Sequence, residues 1–264
     1  MAIAYSGPGT RAMVIEADCP AADSRLSGSE VHHLAMEQFD EVASSYGQLV
    51  ENSISFAGQD HDFYVRVKAQ LIVRLAARHL KDLAGTRVLD VGCGAGDVAK
   101  HLIAQFGTVL GADVSHAMLH QAARATLPLP LLQFDGFSLP FPSACFDVVY
   151  AVNVFHHVAP LERERLLLEL KRVCSPAGII IIAEHNPFNP LARLAVARCP
   201  FDDGVVLVRW SSIRKMCSQI GLCPLSIDYT LIFPFDQQLF RRVEERLAHL
   251  ALGAQYLAVL RQNS

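Results

Sequence analysis

The sequence predicts an α/β domain built on a mostly parallel sheet, and three observations carry that prediction. Short aliphatic runs alternate with amphipathic helical segments between residues 85 and 183. The first run leads directly into a turn with alternating glycines and then a helix. The run at 178–183 is apolar throughout, as a strand covered by helices on both faces must be.

The elements follow in chain order. Residues 1–28 are rich in Gly, Ala, Ser and Pro with little periodicity and are expected to form a mobile tail. Leu34, Phe39, Val42, Ala43 and Tyr46 stand at helical spacing, which predicts a helix over 34–46. A second helix is expected over 60–80, with Val67, Leu71, Leu75 and Leu80 on its apolar side. On this reading His61, Tyr64 and Lys68 belong to a solvated helix face. Strands are expected at 87–91, 109–113, 129–134, 146–152 and 178–183, with helices at 98–106 and 117–125. Pro160 is expected to open a further helix, at a position where its missing N–H costs nothing. Glu162 and Glu164 in the first turn and Lys171 and Arg172 in the last complement the dipole of that helix. After residue 186, helices at 191–197, 211–220 and 237–250 are interleaved with strands at 225–233 and 255–260.

Composition narrows the function. A chain of 264 residues, 52% hydrophobic, can bury a sizeable core within one domain, expected over 29–264. No window is long and apolar enough to span a bilayer, and residues 1–18 lack the pattern of a secretory leader. A cytoplasmic protein without a membrane partner is therefore expected. A net charge of −3 with scattered Lys and Arg offers no footprint for nucleic acid. Seven cysteines without a CxxC pair fit reduced thiols better than a disulfide framework. Cys and His spacing closes no metal site, so no metal is expected.

The most informative stretch is the turn at 90–97. Gly92, Gly94 and Gly96 permit a tight bend and close approach of a ligand to the backbone. A GxGxxG fingerprint fails, because Asp97 stands where its last glycine belongs. Asp90, at the end of the preceding strand, would repel a pyrophosphate and attract an ammonium ion. Asp113 ends the next strand, where a carboxylate can accept two ribose hydroxyls. Asp135, followed by Gly136, comes after the third strand, where it can accept from an adenine amino group.

These elements resemble class I S-adenosylmethionine (SAM)-dependent methyltransferases. Asp90, Gly92, Gly94 and Gly96 match the DxGxGxG pattern; Asp113 matches the ribose-binding acid and Asp135 the adenine-side acid. Residues 146–158 resemble the fourth strand and its ending, and 175–178 the turn into the fifth, with Ser175 and Ala177 as departures. The resemblance implies a Rossmann-like seven-stranded sandwich whose last strand is antiparallel and inserted. It also implies a helical lid over 29–83, a SAM-binding core over 84–185, and a substrate-side segment with the last strands over 186–264. Cys93, Val114, Met118, Gly136 and Asn153 would complete the cofactor site, Cys93 through its backbone. Phe39, Asp40, Ala43 and Tyr46 resemble the FDxxAxxY opening of small-molecule methyltransferases, which makes Tyr46 a SAM contact. Gly47 departs from the Asp often found there in relatives. Residues 184–190, Glu-His-Asn-Pro-Phe-Asn-Pro, resemble a subgroup with an EHNPxNP signature.

The implied reaction is methyl transfer from SAM to an O or N nucleophile of a small metabolite, releasing S-adenosylhomocysteine. Carbon acceptors and a non-catalytic SAM-binding role stay open. His156 and His157 end the fourth strand. One of them at most is expected to face the site, with His157 preferred and His185 in reserve as catalytic residues. Glu184, His185 and Asn186 are expected within reach of substrate. Gly47 and Gly58 are the expected lid hinges, and a monomer or homodimer the expected assembly.

Overall fold

The computed structural model describes residues 14–15, 37–125, 128–235 and 237–263. The tail expected over 1–28 lies outside these apart from 14–15, as does the 34–36 start of the first expected helix. The strands are β1 (Arg87–Val91), β2 (Thr108–Asp113), β3 (Leu131–Gln133), β4 (Phe146–Val152), β5 (Cys174–His185), β6 (Leu222–Thr230) and β7 (Gln255–Gln262). They form one sheet in the order β3-β2-β1-β4-β5-β7-β6, and a two-residue strand, Val14–Ile15, joins its β3 edge. Strands β1 to β5 pair in parallel, while β7 runs antiparallel between β5 and β6. The inserted antiparallel last strand is thus as expected. The strand order reverses between β1 and β4, and in such sheets the crevice beyond the strand ends at that point receives the ligand.

The helices are α1 (Tyr46–Ile54), α2 (His61–His79), α3 (Ala99–Leu102), α4 (His116–Arg124), α5 (Arg163–Val173), α6 (Pro190–Arg198), α7 (Trp210–Ile220) and α8 (Gln238–Leu247). Alternation along the strands divides the core in two. Leu89, Val149, Ile180 and Ile182 pack on one face with Leu166 and Leu170 of α5 and Ile213 of α7. Val88, Val148, Ile179 and Ile181 pack on the other with Ile72 and Leu75 of α2 and Leu119 of α4. An unbroken isoleucine run thus supplies both layers.

Several boundaries differ from expectation: β5 begins at Cys174 and β6 spans Leu222–Thr230, and three helices differ as follows. The first helix does not stop at Tyr46: residues 37–42 are helical, a 3-10 turn covers Ala43–Ser45, and α1 continues to Ile54. The helix expected over 98–106 is only Ala99–Leu102, after which the chain turns toward β2. Pro160 does not open α5. Glu162 is its N-cap, and Arg163 turns inward, donating to the Val158 and Val206 carbonyls. Glu164 in the first turn and Lys171 and Arg172 in the last stand where the dipole favours them.

Candidate active site

The glycine turn is shaped by backbone conformation. Gly92, Gly94 and Gly96 have φ of +73°, +53° and +78°, a region that disfavours residues with a Cβ. A Cβ on Gly92 would also lie 2.4 Å from Val154 Cγ2. Asp113 clamps the turn: Oδ2 accepts from Gly94 N at 2.7 Å and Oδ1 from Ser115 N at 2.9 Å. Asp40 of the FDxxAxxY segment accepts from Ser115 Oγ at 2.5 Å and Ala117 N at 3.1 Å, tying the N-terminal helices to the start of α4. Asp90 is 2% exposed, and burial, reinforced by the charge of Asp113, raises its pKa to about 8. Burial pushes the Cys93 thiol well above its ordinary range, consistent with a backbone role for that residue.

These residues border a cavity of about 440 Å³. Asp90, Gly92, Cys93, Gly94 and Asp113 line one end, together with Val114, Met118, Gly136 and Asn153. Asn153, at φ +57°, is fixed by Gln255 Nε2, which donates to its Oδ1 at 3.2 Å. Tyr46 lines the cavity and stacks on Phe201 with ring centroids 5.0 Å apart. Two predicted cofactor residues do not line it. Gly96 is turned toward Leu129 and Ala122, where its missing side chain lets α4 approach. Asp135 is exposed, and its Oδ1 is used within its own turn, accepting from Phe137 N at 2.8 Å and Ser138 N at 2.6 Å.

The solvated face expected for α2 is also corrected. His61, Tyr64 and Lys68 all line the cavity, because α2 packs across its rim. Lys68 is 6% exposed, makes no ion pair among the described residues, and is lowered by burial to a pKa of about 8. Lys68 and Asp90 thus face one chamber with buried groups that become oppositely charged once Asp90 loses its proton. SAM carries a carboxylate and an ammonium group, so this charge pair and the glycine cradle fit it.

Both adjacent histidines reach the cavity, not one. Strand β4 ends at Val152, and the turn that follows lets both rings point inward. His156 Nδ1 lies 2.6 Å from Oε2 of Glu184, whose Oε1 accepts from Phe155 N at 2.7 Å. Asp202, on the 3-10 turn Pro200–Asp202, approaches from the other side. Its Oδ1 is 3.6 Å from His156 Nε2 and 3.3 Å from His157 Nε2. Burial alone would lower the pKa of His156, but Glu184 and Asp202 raise it to about 9. Burial and the charge of His156 lower His157 to about 3 and His185 to about 4.

Within the 184–190 segment, only His185 touches the cavity. Glu184, fully buried, stands behind His156. Asn186, 1% exposed, donates to the carbonyls of Ala251 and Gly253 at 3.1 and 2.8 Å. Asn189 Oδ1 caps α6, accepting from Leu191 N and Ala192 N at 2.9 Å each, and Pro190 opens that helix. The segment is therefore mostly scaffold. Spacing had hidden Asp202 as a partner of the histidines, since it lies 45 residues or more from His156 and His157 along the chain.

Comparison with known proteins agrees with this geometry. A family model described as a methyltransferase domain matches residues 89–182. A demethylmenaquinone methyltransferase of Thermus thermophilus is 31% identical over 198 residues, 70% of this chain and 84% of that one. The chain belongs to the class I SAM-dependent methyltransferases. A 2-methyl-6-phytyl-1,4-hydroquinone methyltransferase of Synechocystis is 36% identical over 106 residues, 39% of this methyltransferase and 33% of that protein. The chain spans about a third to two thirds of the length of several curated relatives. Among solved structures, magnesium protoporphyrin IX methyltransferase from Synechocystis with bound SAM is 16% identical with a TM-score of 0.60, covering 92% of this chain and 100% of that one. That likeness concerns the fold of this methyltransferase.

Proposed function

We propose that the protein transfers the methyl group of SAM to an oxygen or nitrogen of a largely apolar small molecule. The observation that carries this reading is the continuity of one cavity. Its cofactor end holds the glycine turn, Asp90 and Asp113. Its walls also include Val50, Ile54 and Phe56 near α1, Leu191 and Val196 of α6, and Ile232, and His157 and His185 line the same space. An acceptor with an apolar body and one polar group fits such a chamber. The resemblance of residues 184–190 to the EHNPxNP subgroup supports the same class.

SAM supplies an already activated methyl group, so the chain mainly has to align, desolvate and bring close. Asp90 accepts from the cofactor's ammonium, Asp113 from its ribose hydroxyls, and Lys68 faces its carboxylate. One of His157 and His185, His157 by preference, accepts a hydrogen bond from the acceptor's O–H or N–H and takes that proton as the methyl bond forms. A second reading has a specific support: several curated relatives act on quinone precursors, and one is a C-methyltransferase of ubiquinone and menaquinone biosynthesis. Methylation of a ring carbon would use the same chamber.

The deciding experiment incubates the protein with SAM and panels of hydroquinones, phenols and amines, measuring S-adenosylhomocysteine and locating the new methyl by NMR. Methyl on O or N supports the proposal, and methyl on carbon only replaces it. With the true acceptor, His157→Ala and His185→Ala are expected to lower turnover, by roughly 100-fold for whichever handles the proton, while SAM affinity holds. Full turnover in both single variants and the double variant would leave alignment as the whole of the chemistry.

A further inference from the structure

Where spacing along the chain showed no metal-binding set, the fold assembles one. We propose that His156, His185 and Asp202 bind a single first-row divalent cation of the zinc type, its open positions facing the acceptor. The ion's role in catalysis rests on the methyl-transfer reading; its binding does not.

The three residues come from separate elements: the turn after β4, the end of β5, and the 3-10 turn Pro200–Asp202. One ligand atom from each lies within 4.8 Å of the others. His156 Nε2 and Asp202 Oδ1 are 3.6 Å apart, long for a hydrogen bond. Metal bonds of ~2.0–2.2 Å in a tetrahedron set ligand atoms about 3.4 Å apart, so this pair is close to the spacing an ion needs. Small side-chain rotations bring in the third donor.

The surroundings already orient the ligands. His156 Nδ1 is held by the buried Glu184, which leaves Nε2 as the inward donor. His185 Nδ1 stands 3.4 Å from Gln255 Nε2, an amide donor, so Nδ1 holds the lone pair of that ring and is the nitrogen that can turn to a cation. An imidazole that donates its other N–H to a carboxylate, as His156 can to Glu184, is the usual arrangement behind a metal ligand. Asp202 Oδ1 is buried and accepts no hydrogen bond, and its side chain is 8% exposed. A buried carboxylate oxygen left in that state lacks a strong partner. Two nitrogens and one carboxylate oxygen suit zinc, iron or cobalt, whereas magnesium and calcium prefer all-oxygen sets. His157 Nε2, 3.3 Å from the same oxygen, is the group an ion would displace from Asp202.

In this position the cation would take an acceptor hydroxyl and ease its ionisation. The proton leaves to solvent and the O–H electron pair stays on oxygen. That oxygen forms the C–O bond, and the C–S pair returns to sulfur.

The test uses the full chain without an affinity tag, stripped with a chelator and titrated with Co²⁺ and Zn²⁺. One equivalent of Co²⁺ should bind and give visible ligand-field absorption, with Zn²⁺ displacing it. His185→Ala and Asp202→Asn should weaken binding at least 10-fold, and Glu184→Gln should weaken it and shift the spectrum. Each variant is checked for folding by its affinity for S-adenosylhomocysteine. Binding well below one equivalent, or unaffected by the His185 and Asp202 variants, overturns the site and leaves a proton-bridged cluster. Binding of SAM to the stripped protein reads the cofactor site by itself. A protein that binds SAM but no metal therefore loses this proposal and keeps the first.

Discussion

Asp90 carries its negative charge only above an unusually high pH. With a pKa near 8 it is mostly protonated at neutrality, yet it must be ionised to receive the cofactor's ammonium. Below that pKa, each unit of rising pH increases the competent fraction about tenfold, since one proton must leave. SAM affinity is therefore expected to rise by roughly tenfold per unit between pH 6 and 7.5, a range below the ~7.7–8.0 pKa of an α-amino group. Calorimetry in buffers of different ionisation enthalpy should show a proton released on binding; affinity independent of pH would remove Asp90 from the ammonium site. Asp113 has a double task. Asp113→Ala removes the expected ribose contact and also the anchor of Gly94 N, so SAM binding should weaken by at least 10- to 100-fold, as read by calorimetry. The same variant should unfold at lower urea, because buried N–H groups of Gly94 and Ser115 lose their acceptor. The sequence put Asp113 at the cavity, where it stands, because the end of a strand in such a sheet opens on the crevice. It misplaced Asp135 because a loop carboxylate has a competing partner in its own backbone, which no spacing reveals.

At the level of elements, the glycine turn leaves little room for substitution. Gly92→Ala must hold a positive φ and place a methyl 2.4 Å from Val154 Cγ2. Backbone strain alone is expected to cost roughly 1–3 kcal/mol, and the clash adds to it. Urea unfolding should show the loss, and SAM binding should fall with it. Unchanged stability would mean that the turn relaxes freely. Strands β1 and β4 were legible to the residue, because an apolar run between turn signals has little latitude. Helix ends were less so. Pro160 is compatible with a first turn, yet Arg163 is drawn inward to the Val158 and Val206 carbonyls, and the helix starts there. The inward face of α2 was hidden because Lys68 looks solvated in a periodicity plot. Only the cavity on its far side shows why a lysine is buried.

Across the whole molecule, the cavity is bordered by two elements far apart along the chain, residues 37–57 and 190–203. Ser53 Oγ of α1 reaches the Arg198 carbonyl of α6 at 3.3 Å, and Arg198 lies over the Phe56 ring. Gln59 donates to the Pro234 carbonyl at 3.1 Å. With the Tyr46–Phe201 stack, these are the contacts that would have to part if the segment opens to admit SAM. Hydrogen exchange over residues 37–57 and 190–203 should slow when S-adenosylhomocysteine binds. Equal protection with and without it would show a rigid cover instead. Gly58, at φ +75°, ends the first turns of this cover and suits a hinge, whereas Gly47 lies within α1 and is helical. The sequence led to the expectation of a lid over 29–83 but gave no sign of its contact with α6, because nothing local in 46–54 names 190–198 as its neighbour.

The insertion of β7 between β5 and β6 also governs when the protein can work. A chain emerging from the ribosome presents β1 to β5 in an order that lets them pair as they appear. Strand β6 then has no place to dock until residues 255–262 follow it. Gln255, which steadies both Asn153 and His185, arrives with that same strand, and Gly253, the acceptor for Asn186, just before it. A nascent chain stalled after Gly253 would hold the glycine turn and all three histidines, yet lack the strand that sets their positions. The cavity thus takes its final shape only once residues 253–262 have been made, well after the glycine turn.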